Sequence, residues 1–229
     1  MPDLPYTLLS CSVSIDGYIG DATARLALSN DADFDRVDAE RASSDAILVG
    51  AGTVRADNPR LLVRSPARRE QRAARGLPPT PRKVTVTARA QLDPGADFFT
   101  AGDAEKLVYC PGATVPAARA RLGRVATVVD GGQPVTMRAI AADLAARGVQ
   151  RLMVEGGGTV HTQFLAGDLA DELQLVVAPV LVGDSRAPRF VRDGRFPWHA
   201  GRRATLAEVR QIGDVALLRY ALSPRFRDG

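Results

Sequence analysis

Glu155 closes an apolar run, Arg151 to Val154, and three glycines follow it, Gly156, Gly157 and Gly158, before Thr159 to Leu165 takes up helical spacing. A glycine turn at that place lets backbone N–H groups approach a ligand. The helix N-terminus behind it favours an anion, typically a phosphate. The competing reading is a costly turn, because each glycine gives up much chain entropy on folding. Glu155 needs partners of its own: a carboxylate ending a buried strand must find backbone donors, an arginine or a polar ligand. A second such strand end, Gly50-Ala51-Gly52-Thr53, leads into Asp57-Asn58-Pro59-Arg60, with Arg64 close behind. On pattern alone, Asp57 is either a working carboxylate or a turn cap, and its arginines either hold an anion or lie at the surface.

Several chemistries find no motif. Gly50-x-Gly52 is not the dinucleotide fingerprint, because Arg55 stands at the third glycine position, and no G-x-x-x-x-G-K-[ST] phosphate loop occurs. A serine hydrolase would need a G-x-S-x-G elbow, which is missing. His161 falls in the first turn of the glycine-preceded helix, facing a ligand or solvent, and His199 follows Trp198 in an irregular segment. With no acidic cluster beside either histidine, neither a metal site nor histidine catalysis is expected. Cys11 and Cys110 lie far apart in strand-like segments without metal-ligand spacing, which predicts free thiols rather than structural zinc or a disulfide framework.

The elements that must position these residues belong to an ordinary globular chain. Its 229 residues, 45% hydrophobic and 24% charged, favour one hydrophobic core and a single domain over 1–229. Much of the net charge of +4 lies between Arg64 and Lys83. That stretch has no aromatic residue and carries Pro66, Pro78, Pro79 and Pro81, so a mobile, solvated basic loop over about 65–82 is expected. A nucleic-acid surface would need its basic residues on ordered structure. The N-terminal segment is short, acidic at Asp3 and without an apolar signal region, and no apolar run approaches membrane-spanning length. A cytoplasmic protein with no nucleic-acid or membrane partner is the expectation.

Tyr6 to Ile15 reads as a strand ended by the Asp16-Gly17 turn. Ser29 or Asn30 caps a helix over about 31–42, with Phe34, Val37, Asp38 and Arg41 spaced for a partly buried face. Further strands are expected over 45–49, 83–87, 106–110, 125–129, 151–155 and 172–182, with a small edge segment at 61–63. Helices are expected over 116–122, 136–147 and 159–166. Pro179 marks the 172–182 strand as an edge or a bulge. Gly213-Asp214 joins two final strands, 205–212 and 215–222, into a hairpin. The alternation predicts an α/β fold: a mixed, mostly parallel sheet with helices on both faces and an antiparallel C-terminal hairpin. Ligands of such sheets sit beyond the strand C-termini, where Asp16-Gly17, Gly50 to Thr53, Thr87 and Glu155 to Gly158 would converge. Val180-Leu181-Val182 would offer an apolar dimer surface.

Ser14-x-Asp16-Gly17, the block Asp45 to Arg64, the block Val154 to Leu165, and Asp171-Glu172-Leu173 followed by Ala178-Pro179-x-Leu181-x-Gly183 occur in that order. Together they resemble the riboflavin-pathway pyrimidine reductase family, from Tyr6 through the final hairpin. The resemblance implies a dihydrofolate-reductase-like three-layer fold and NADPH-dependent reduction of a ribosylaminopyrimidine 5′-phosphate to its ribitylamino product. The reaction would be of the 5-amino-6-(5-phosphoribosylamino)uracil or the 2,5-diamino-6-ribosylaminopyrimidinone phosphate reductase type. It implies that Gly50, Gly52, Thr53, Gly156, Gly157, Gly158, Thr159 and Val160 line the NADPH site. Thr87 would lie near the adenosine 2′-phosphate, with Arg89 as a helper. Arg41, Asp57 and Arg64 would contact the sugar-phosphate side of the substrate and Glu155 its other end, with Asp57 and Glu155 as the catalytic carboxylates. A homodimer is implied as well.

The chain departs from the family pattern in two places. Asp57-Asn58-Pro59 stands where the family commonly has Asp-Asp-Pro, and the basic stretch after Arg64 is a local elaboration beside the expected substrate site. The sequence shows no deaminase segment, so its substrate is expected to come from a separate deaminase or to be the not-yet-deaminated pyrimidine. The alternative readings are reduction of a pterin-like or other heterocyclic C=N bond, and a non-enzymatic nucleotide-binding role.

Overall fold

A computed structural model describes residues 4–21 and 26–226; Asp3, used above in reading the N-terminus, lies outside them. Along the chain the elements are β1 (Tyr6–Ser14), α1 (Asp31–Ser43), β2 (Ala46–Gly50), α2 (Ala51–Asp57), α3 (Pro66–Ala74) and β3 (Arg82–Val86). There follow α4 (Asp97–Thr100), β4 (Lys106–Cys110), α5 (Val115–Leu122), β5 (Thr127–Asp130) and α6 (Met137–Ala146). The last are β6 (Arg151–Gly156), α7 (Gly158–Ala166), β7 (Glu172–Ala178), β8 (Thr205–Ile212) and β9 (Val215–Ala221).

The chain divides into two compact units, one of them built on residues 38–153. In it β2, β3, β4 and β5 run parallel in the order β5-β4-β3-β2. Every residue of β2 is buried, as expected for a parallel strand covered on both faces, which reads as an unbroken apolar run. Helix α6 begins at Thr136, whose hydroxyl accepts from the Ala139 N–H at 3.2 Å, and its exit is turned by Gly148 at φ +82°. The expected cap and stop are both present.

The other unit comprises the described parts of residues 6–37 and 154–226. Here β1 pairs parallel with β7, β7 antiparallel with β9, and β9 antiparallel with β8. Val176, Ala178, Val215 and Leu217 form an apolar cluster with Leu28. The division falls within β6, between Met153 and Val154.

Four local expectations are corrected. Residues 66–74 form a helix, not a loop: Ser65 caps it, Pro66 opens it, and Arg72 within it is only 2% exposed. The Arg72 guanidinium donates to the carbonyls of Pro78 (2.7 Å), Ala42 (2.8 Å) and Ser44 (2.7 Å). A buried cation shared among three carbonyls pins this segment, and composition alone concealed it. Pro179 does not mark an edge strand, because β7 stops at Ala178 and is flanked on both sides by β1 and β9. Proline, lacking an N–H, stands just past the strand end. Residues 61–63 form no strand; Leu61 and Val63 are buried as irregular chain, and Leu61 has φ +49°. On α1, Phe34, expected on the partly buried face, is exposed; Asp38 is buried as expected, and Asp33 is buried as well. That helix is seated by polar contacts, with its entry capped by the Asn30 side chain accepting from Asp33 N–H at 3.0 Å.

Among the described residues, no helix is long and apolar enough to cross a membrane. Cys11 and Cys110 are free thiols.

Candidate functional site

In the first unit, Gly50 ends β2 opposite Val86 of β3, so Thr87 stands one residue beyond on the same strand-end edge. Gly50 therefore belongs to the strand, and Gly52 and Thr53 to the first turn of α2, rather than to an open glycine loop. Gly52 is exposed, and a Cβ there would meet nothing within 4 Å, so local packing does not require this glycine. The α2 N-terminus starts from Gly50 without a side-chain cap. Thr87 is buried; its N–H donates to the Tyr109 carbonyl (2.9 Å) and its hydroxyl oxygen accepts from Ala90 N–H (3.1 Å). Arg89 beside it is exposed.

Asp57 is exposed at the last position of α2. The next residue, Asn58, is the helix C-cap in the left-handed conformation at φ +43°, which asparagine tolerates better than most residues. Its side-chain oxygen accepts from Asp97 N–H at 2.7 Å, and Arg60 pairs with the Asp97 carboxylate at 3.1 Å. Asn58 thus ties the α2 exit to α4. Arg41 Nη1 donates to the Leu62 carbonyl at 3.2 Å, two residues before Arg64. The Arg64 side chain is 60% exposed while its N–H is held by buried Asp38. Burial pushes the Asp38 carboxyl upward, but the Arg64 and Ser65 N–H groups and the Arg68 guanidinium outweigh it and hold it below its ordinary value.

A cavity of about 710 Å³ also opens in this unit, between Leu62, Val63, Arg69, Arg82 and Arg147. It includes Asp45 and Glu105, which precede β2 and β4. It therefore lies at the opposite strand ends from Gly50 and Thr87. Nearby, Lys83 on β3 is fully buried, and desolvation brings its ammonium down to about 8 while it donates to the Phe98 and Ala101 carbonyls.

In the second unit, Glu155 is half-buried at the next-to-last position of β6. Gly156 takes φ +140°, a conformation open to glycine and rare for other residues. Gly157 is the N-cap of α7, with no side-chain cap. Gly158 is glycine for a different reason: a Cβ there would lie 2.3 Å from the Arg189 carbonyl oxygen. Of the two residues after the glycines, Thr159 is exposed and Val160 buried.

The Arg189 carbonyl belongs to an irregular strap between β7 and β8. Ile19 N–H donates to the Pro188 carbonyl (2.8 Å) and Phe190 N–H to that of Gly17 (3.2 Å). Arg189 Nη2 donates to the Tyr18 hydroxyl at 2.7 Å, and Arg192 N–H to the Thr162 hydroxyl at 2.8 Å. The Phe190 ring stands 5.2 Å from that of His161. His161 does not face solvent: it is fully buried, and among the described residues neither ring nitrogen has a hydrogen-bond partner. Burial lowers its pKa to about 4, so the imidazole is neutral near pH 7.

Asp16, expected at a strand-end turn but given no ligand contact, organises that turn. It accepts from Ser14 Oγ (2.6 Å), Val182 N–H (3.1 Å) and Gly183 N–H (2.8 Å), which hold its carboxyl down at about 2. The Asp-Gly signal marked this turn, but no local pattern announced the partners, which lie 166 and 167 residues away.

These strand ends, with flanking helices and a mixed, mostly parallel sheet, are those of a three-layer α/β protein of the dihydrofolate-reductase-like class. The fold aligns with a pyrimidine reductase-like protein from Corynebacterium diphtheriae at a TM-score of 0.81 and 23% identity, covering 95% of this chain and 91% of that one. Residues 5–218 match the RibD C-terminal domain family, a match that runs through both units. The chain is 33% identical over 225 residues to a 2,5-diamino-6-ribosylamino-4(3H)-pyrimidinone 5′-phosphate reductase of Archaeoglobus fulgidus, covering 97% of this chain and 98% of that one. It is 35% identical over 192 residues to the reductase of the same name from Methanothermobacter thermautotrophicus, covering 83% and 84%. The chain belongs to the RibD C-terminal domain family of pyrimidine reductases.

Proposed function

We propose that this protein is an NADPH-dependent oxidoreductase that reduces the ribosylamino group of a pyrimidine 5′-phosphate to a ribitylamino group. The observation that carries the reading is likeness over nearly the full length of a relative named for that reduction, with the family's chemistry-bearing blocks present at the strand ends described above. The relatives' names favour the diamino, not-yet-deaminated pyrimidine as substrate.

The local structure suits an anionic dinucleotide. Helix α7 begins on Gly157 with no side-chain cap, and Gly156 before it takes φ +140°, which residues with a side chain rarely adopt. Gly50, Gly52, Thr53, Gly156, Gly157, Thr159 and Val160 are assigned to the cofactor, with Thr87 and Arg89 toward its 2′-phosphate. Gly158 is assigned indirectly, since its place is fixed by the strap. NADPH bound by these residues would supply the hydride that reduces the sugar's open-chain imine. Arg41 and Arg64 hold the substrate phosphate, for which guanidinium offers paired donors. Glu155 holds a polar group of the pyrimidine, and Asp57 orients the sugar hydroxyls or moves a proton during ring opening. Leu181, Leu206 and Val209, exposed on the surface of the second unit, support the expected homodimer.

Asp57→Asn tests the assignment. Turnover should fall by about a hundredfold or more, the usual scale for a positioned acid or base, with NADPH affinity measured by fluorescence titration unchanged. Wild-type turnover in this variant would remove Asp57 from the catalytic groups.

A further inference from the structure

We propose that Asp38 is a positioning residue for substrate phosphate: it fixes the backbone of Arg64, and helix α3 belongs to that support. The inference rests on the phosphate role proposed above for Arg64.

Asp38 is nearly fully buried, and both its carboxylate oxygens are loaded. Oδ1 accepts from Arg64 N–H at 2.5 Å and lies 3.9 Å from Arg64 Nε. Oδ2 accepts from Ser65 N–H at 3.1 Å and from Arg68 Nη1 at 3.0 Å. The carbonyl side of Arg64 is held too, because Arg69 Nη1 donates to the carbonyls of Arg64 (3.0 Å) and Val63 (3.1 Å). The peptide groups on both sides of Arg64 are thus fixed, each at its N–H from α1 and at its carbonyl from α3, while the Arg64 side chain is 60% exposed. A long side chain on a clamped backbone keeps fewer orientations, which lowers the ordering cost of closing on an anion. The base of α3 is secured independently by Arg72 and its three carbonyls, so the support does not depend on phosphate being present.

Docking the α3 N-terminus would by itself explain these contacts, so the test must separate docking from positioning. Asp38→Asn keeps the shape but leaves an amide with one accepting oxygen facing donors on both sides. KM should be measured for the phosphorylated ribosylaminopyrimidine and for its dephosphorylated form, in the wild-type and Arg64→Met backgrounds. Asp38→Asn should raise KM for the phosphorylated substrate about tenfold, as a misplaced anchor does, with kcat and the KM for NADPH unchanged. The dephosphorylated substrate should not register the change, and in the Arg64→Met background Asp38→Asn should add nothing. Arg69→Met, altering an exposed side chain, should raise the same KM by less, and it decides the matter if Asp38→Asn does not fold. Equal effects of Asp38→Asn on both substrates, or in both backgrounds, would overturn the inference and leave Asp38 a docking residue. If Arg64→Met alone leaves KM for the phosphorylated substrate unchanged, the phosphate reading of Arg64 fails first, and this inference with it.

Discussion

At Gly158 a missing side chain makes room for the Arg189 carbonyl; at Arg72 a long charged side chain fills buried space and collects three carbonyls. Both residues lie in segments that draw attention in the sequence, one for its glycines and the other for its arginines. In both, the partner is a main-chain carbonyl from another segment, and residue type announces the special position without naming that partner. The glycine turn contains at least two different requirements, a positive φ at Gly156 and a close approach at Gly158. The basic stretch likewise mixes an interior pin, Arg72, with the half-buried Arg68 and the exposed Arg69.

The largest effect that would sharpen this contrast is expected at Gly158. Gly158→Ala must displace backbone rather than a flexible side chain, and should cost about 3 kcal/mol, read by denaturant unfolding together with faster proteolysis of the 187–192 strap. An unaltered midpoint would mean that the strap yields freely and that Gly158 is required for something else. Arg72→Met keeps the length of the side chain but strips three carbonyls of their donor. A loss of about 2 kcal/mol is expected, net of the desolvation that burying a cation costs, with the helix signal of α3 reduced. No loss would restore the solvated-loop reading of this stretch.

His161 supplies the smallest effect and a third case, a buried polar group whose ring nitrogens have no hydrogen-bond partner among the described residues. The folded state resists protonation down to about 4, whereas the unfolded chain takes up a proton below the ordinary value of 6.5. Stability contributed by the neutral ring is full above 6.5 and falls as pH drops toward 4. The expected loss is about 1 kcal/mol at about pH 5.5 relative to neutrality. His161→Leu should abolish that part of the acid slope in melting temperature; an identical slope in the variant would show that other groups carry it.

The parallel strands, the capped helix α6 and the final hairpin were legible because apolar periodicity, a Thr cap and Gly-Asp turn chemistry are local signals. The positions of Gly50, Thr87, Asp57 and Glu155 at or near element ends followed from the same signals. Less legible was anything decided by long-range polar contact. Asp38, expected on a partly buried face of α1, takes its partners from the segment at 64–68, which no local pattern announces. Asp16 gained importance through Val182 and Gly183. Asn58 reads as a lost carboxylate and proves to be a left-handed helix cap that links α2 to α4.

The most direct measurement is NADPH oxidation by the purified protein with the diamino and the deaminated ribosylaminopyrimidine 5′-phosphates, followed by mass analysis of the product. The account predicts turnover with the diamino substrate preferred and a product heavier by two hydrogens. NADPH binding without oxidation in the presence of either substrate would contradict the proposed reaction and direct the search to other C=N acceptors.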